Sequence, residues 1–97
     1  MAAQNVAMAK SAYPTLVGAQ LAVFTITSTP SEIEIMNLDG DVDLWANLNG
    51  TVPPTALGPD CELIPPGTSL LLENVPRKTG NVVQVLGNNN TIGVVAR

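Results

Sequence analysis

The chain has no histidine, a single cysteine and four cationic side chains, and aromatic residues fill only 3% of its 97 positions. Each scarcity excludes something. Without histidine, the usual acid, base and switch near neutral pH is missing. Cys61 cannot close an intramolecular disulfide, and no imidazole, cation or helix start beside it in sequence would activate its thiol, so a structural role is expected. Lys10, Arg77, Lys78 and Arg97 in a chain of net charge −4 cannot neutralise a run of phosphates, which argues against direct nucleic-acid binding. No apolar stretch approaches the roughly 18–20 residues that a helix needs to cross a bilayer, so no membrane span is expected. The opening MAAQNVAMAK lacks a basic start and a continuous apolar core, so the reading is of a chain folded in a cytoplasm. On that reading the Asn-x-Thr sequons at Asn49 and Asn89 are chance matches in polar turns.

What is present is an apolar, lightly charged chain: 45% hydrophobic and 12% charged, against about 25% charged in an average soluble domain. Such a surface must be covered with small polar and apolar residues, which suits contact with other protein chains. A domain of this size buries only about 60–65% of its unfolded surface, so support from neighbours is expected. These features mark a component of an assembly.

The stretch NLDGDVDLWANLNG places Asp39, Asp41 and Asp43 at alternate positions, which raises the possibility of a calcium loop. An EF-hand needs glycine at position 6 and a bidentate glutamate at position 12. Counting from Asn37 gives Val42 and Leu48 there, and counting from Asp39 gives Leu44 and Gly50, so no metal site is expected. Asp39-Gly40 suits the centre of a type I′ turn instead. Ile33 and Ile35 alternate with Glu32 and Glu34 before it. After it, Val42, Leu44, Ala46 and Leu48 alternate with Asp41, Asp43, Trp45 and Asn47, so a hairpin with one buried face is expected.

The remaining chain reads as short strands between turn signals. Residues 1–14 carry no repeat strong enough to define an element and are expected to form an extended N-terminal arm, with residues 15–97 as one domain. LAVFTIT is a strand, and Gly18 marks a bend before it. Residues 49–60 hold three prolines and two glycines and read as a long loop of functional interest. Strands follow at CELI, SLLL, NVVQVLG and TIGVVAR, with a type II turn at Pro66-Gly67 and a turn at Asn88–Asn90. No segment has helical periodicity. The expected fold is all-β: a single antiparallel β-sandwich or small jelly-roll-like barrel of about seven short strands.

No constellation supports catalysis, since Glu32, Glu34, Asp41 and Asp43 are expected on exposed faces without an aromatic cleft around them. No cofactor is implied. Only Tyr13 and Trp45 could serve as sugar platforms. Trp45 falls opposite the apolar face of its strand, and tryptophan is enriched among interface hot spots, so an interface anchor is favoured over a lone sugar platform. With the loop residues Val52, Pro53, Pro54 and Leu57, Tyr13 and Trp45 form the candidate contact set.

The order TSTPSEIEIMNLDGDVDLWANLNGT, then CELIPPGTSLLLENV, then GNVVQVLG and TIGVVAR resembles small accessory virion proteins of tailed bacteriophages. In these, an N-x-(D/G)-G…(V/L)-W-V-x-L-x-G-T strand precedes an x-L-x-P-G-x-S-L-x-L strand. The matching residues are Asn37, Gly40, Trp45, Leu48, Gly50 and Thr51, then Leu63, Pro66, Gly67, Ser69, Leu70 and Leu72. The resemblance implies a non-enzymatic structural protein on the capsid surface of a virion, a decoration or cement protein. Its partner would be the major capsid protein, and it would form a homo-oligomer, dimer or trimer. The alternatives are a fibre-base or head–tail junction protein, or a receptor- or carbohydrate-binding sandwich.

Overall fold

Alternation of β-branched and aliphatic residues with polar ones drives the chain into strands that each bury one side. The structure, a computed structural model, describes residues 3–39, 41–50 and 61–97. It contains nine strands among them: β1 (Ala3–Met8), β2 (Ser11–Ala12), β3 (Ala19–Ile26), β4 (Ile33–Asn37), β5 (Leu44–Leu48), β6 (Glu62–Ile64), β7 (Ser69–Leu72), β8 (Asn81–Asn88) and β9 (Ile92–Ala96). They form a five-stranded sheet, β1-β3-β8-β5-β6, and a four-stranded sheet, β2-β9-β4-β7.

From β2 onward the pairing is that of one long antiparallel ribbon rolled up on itself. β2 pairs with β9, β3 with β8, β4 with β7 and β5 with β6. The roll closes where β4 also meets β9 and β5 also meets β8. This is the jelly-roll arrangement of a double-sheet sandwich. Phe24 and Ile26 of β3, Ile33 and Ile35 of β4, Leu44 of β5, Ile64 of β6, Val83 and Val85 of β8, and Ile92 and Val94 of β9 are fully buried between the sheets. Each contributes about 1.5–3 kcal/mol by leaving water.

Three expectations change. The Asp39-Gly40 hairpin does not form, because β4 is flanked by β7 and β9 while β5 is flanked by β6 and β8, leaving neither with a free edge for the other. The segment crosses from one sheet to the other instead. Within the segment 1–14 expected as an N-terminal arm, Ala3–Met8 and Ser11–Ala12 are strands of the two sheets: β1 runs parallel to β3, Met8 is buried, and Ala12 on β2 packs against the core. These two additions turn the expected seven strands into nine. The unpaired hydrogen-bonding groups along β3 give β1 its order, which its own weak pattern does not. Thirdly, Asn47, expected on the solvent face, is 7% exposed because Gly50 lies over its side-chain amide.

Buried asparagines fasten the corners at which the chain changes sheet. Asn37 Nδ2 donates to Val42 O (2.7 Å) and Ile64 O (3.0 Å). Asn90 Nδ2 donates to Val42 O (2.9 Å) and Asn37 Oδ1 (3.2 Å), and Asn90 Oδ1 accepts from Asn88 N (2.6 Å). Three corners, β4 to β5, β6 to β7 and β8 to β9, are thereby tied at one end of the sandwich. At Pro65–Thr68 the expected turn forms, with Thr68 N donating to Pro65 O (3.2 Å) and Gly67 at φ +71°. A positive φ at the third residue is what a type II turn demands.

Candidate functional site

The alternation of β5, with Leu44 and Ala46 buried in the core, turns Trp45 to the outer face of the five-stranded sheet. Residues directly opposite on neighbouring strands share a face. Trp45 stands opposite Leu63 on β6 and Leu86 on β8, and Leu86 stands opposite Leu21 on β3. A row of four large apolar side chains therefore crosses four strands on the outside of the sandwich. Leu63 is 45% exposed, and Trp45, Leu86 and Leu21 are half-buried. The row below it is mixed, with Asn47 opposite Gln84 and Gln84 opposite Val23. Among the described residues, the buried Gln84 side-chain oxygen has no hydrogen-bond partner.

Next to this row lies an open depression of about 520 Å³, lined by Trp45, Leu86 and Gly87 with Asp41, Asp43 and Asn88 around them. Asp41 and Asp43 are exposed, on the segment leading into β5. That segment is shaped by short-range capping, since Asp39 N donates to Asn37 Oδ1 (3.2 Å) and Asp41 N to Asp39 Oδ1 (2.8 Å). An indole face beside two carboxylates and an amide can stack on an apolar surface and accept or donate hydrogen bonds around it.

Tyr13 is 57% exposed and lies on the other side of the molecule. It follows β2, and its ring and the Met36 methyl group lie over Gly93 of β9, where an added Cβ would come within 3.0 Å of the ring and 2.7 Å of the methyl. Tyr13 and Trp45 are thus not brought together. Val52, Pro53, Pro54 and Leu57 lie outside the described residues. Glu32 and Glu34, expected on the same hairpin as Asp41 and Asp43, precede and lie in β4 of the four-stranded sheet, whereas the two aspartates border the five-stranded one. Glu34 accepts a hydrogen bond from Arg97 Nη2 (2.8 Å). That bond, with a contribution from Ser69, holds the Glu34 carboxyl below the usual glutamate range, and the same pairing raises Arg97. Cys61 is a half-buried free thiol immediately before β6.

Sequence reasoning placed Trp45 outward but missed Leu21, Leu63 and Leu86 as its companions. The register of four strands sets that row, and no local signal reports it. The sequence marks Asn88 only as a turn residue.

No family model and no curated protein matches the chain. Solved structures share its fold at low identity. A carbohydrate-binding module from a sugar cane soil metagenome, solved with cellopentaose and gadolinium ion, superposes with a TM-score of 0.59 at 12% identity, over 97% of this chain and 92% of that one. PirA gives 0.57 at 14% identity, over 91% and 94%. PliG from Aeromonas hydrophila, a periplasmic inhibitor of g-type lysozyme, gives 0.54 at 10% identity, over 99% and 100%. At these identities the likeness concerns the fold, and what this chain is similar to is the small all-β sandwich module.

Proposed function

We propose that the protein is a non-catalytic structural protein of a bacteriophage virion, a decoration or cement protein that docks on the major capsid protein. The observation that carries the proposal is the row Leu63–Trp45–Leu86–Leu21, an apolar band on the outside of a jelly roll whose sequence is only 12% charged. Exposed apolar bands of this kind mark protein contact surfaces. The resemblance of the β4–β7 sequence to accessory virion proteins supplies the partner class.

A second reading rests on the depression beside Trp45: with Asp41, Asp43 and Asn88 around it, the ring could seat a neutral oligosaccharide. One pair of measurements separates the readings. Trp45 is the single tryptophan, so its fluorescence reports on this site alone. Virions assembled without the protein should co-sediment with wild type and lose most of that binding with Trp45→Ala, an interface hot spot costing on the order of 2 kcal/mol. Cellopentaose, the ligand of the sandwich module that shares the fold, should leave the fluorescence unchanged. Saturable quenching by cellopentaose without binding to virions would replace the first reading by the second.

A further inference from the structure

Among the described residues, four strands end the two sheets, and three of them are short: β2 has two residues, β6 three and β7 four. β1 is different, with six residues from Ala3 to Met8. Its hydrogen-bonding direction follows from one bond. Thr27 N donates to Met8 O (2.8 Å), and Met8 is in register with Ile26 in a parallel pair. Main-chain groups of alternate residues point to alternate sides of a strand, so Gln4, Val6 and Met8 bond to β3, while the N–H and C=O groups of Ala3, Asn5 and Ala7 point away from the sheet.

Exposed edges are normally guarded by a charge, a proline or a bulge. AQNVAM has no charge and no proline, and its register with β3 runs unbroken over all six residues. The side chains of Asn5 and Ala7 are small and exposed, and among the described residues no strand pairs with the outer edge of β1.

We propose that two copies of the chain pair antiparallel through β1 about a two-fold axis at Asn5. The outward-pointing residues are spaced symmetrically around it. Asn5 then faces Asn5 of the second copy, Ala3 faces Ala7, and Ala7 faces Ala3. Three such pairs exchanging two bonds each give about six main-chain hydrogen bonds. The two five-stranded sheets become one continuous sheet across the junction. This contact uses the main-chain edge of the sheet whose outer face carries the Trp45 row, with Ala3 opposite Leu21, and it does not depend on the capsid reading.

The test is the mass of the isolated protein by light scattering coupled to size exclusion. Wild type is expected at twice the 10.1 kDa chain mass. Asn5→Pro removes an outward N–H that the β3 ladder does not use, a position where an edge strand tolerates proline. Ala7→Lys places a charge on the same edge. Both variants are expected to run as monomers and to keep a cooperative melting transition. Wild type running as a monomer up to its solubility limit, a three-chain mass, or a dimer that persists in both variants would each overturn the proposal.

Discussion

Replacing Asn90 with alanine tests whether the buried asparagines hold the corners of the roll. The residue is fully buried, and its side chain makes three hydrogen bonds, to Val42 O, Asn37 Oδ1 and Asn88 N. The substitution does not orphan all three partners. Val42 O keeps Asn37 Nδ2 at 2.7 Å, and Asn37 Oδ1 keeps Asp39 N at 3.2 Å. Asn88 N loses the Asn90 oxygen. A buried donor left unpaired costs about 1–3 kcal/mol, and each weakened acceptor adds about 0.5 kcal/mol, giving roughly 2–4 kcal/mol in all. For a domain of this length, whose total stability is about 5–15 kcal/mol, that is a large share, and it corresponds to a melting point lower by about 10–20 °C. Asn90→Asp sharpens the test. It keeps an oxygen for Asn88 N but sets its other oxygen against Val42 O and Asn37 Oδ1, so burial and these carbonyls favour the protonated acid and raise its pKa in the folded state. A raised folded pKa means that stability is fullest below the unfolded value of about 3.9 and is lost as pH rises through the folded one. Asn90→Asp should therefore melt closer to wild type at pH 4 than at pH 7, while Asn90→Ala should show the same deficit at both. Thermal unfolding by circular dichroism at the two pH values reads both effects. An Asn90→Ala melting point within about 3 °C of wild type would refute the corner-tie reasoning.

Gly67 sits at φ +71° with nothing near the position of an added Cβ, so its substitution measures backbone strain alone. Gly67→Val should cost about 1–3 kcal/mol in denaturant titration and Gly67→Asn distinctly less, since asparagine tolerates that conformation; equal costs would contradict the strain account. Glu34 has a lowered pKa through Arg97, so the stability it contributes is present above the unfolded glutamate value of about 4.3 and is lost as pH falls through the lowered folded one. Glu34→Gln should accordingly melt below wild type at pH 7 and converge with it in acid, and a difference independent of pH would argue against the pairing.

The sequence alone determined what depends on a few neighbouring residues. Alternation along 19–26, 33–37, 44–48 and 81–88 is enough to make strands and to say which side of each is apolar, because a pleated chain has no other way to bury every second residue. Pro66-Gly67 fixed its turn because glycine accepts the left-handed conformation that the turn needs. Trp45 was legible as an outward residue for the same reason of parity. Only the tertiary structure decided which strands lie side by side. Two consecutive strands with buried alternate residues look the same whether they pair with each other or face each other across a core, and here β4 and β5 face, since β7, β9, β6 and β8 occupy their edges. The same closure placed Leu21, Leu63 and Leu86 in line with Trp45, drew residues 3–8 into an edge strand, and buried Asn37, Asn47 and Asn90. An amide that replaces missing backbone partners at a corner is polar in the sequence and core in the fold, and only the meeting of distant carbonyls and amides makes it so.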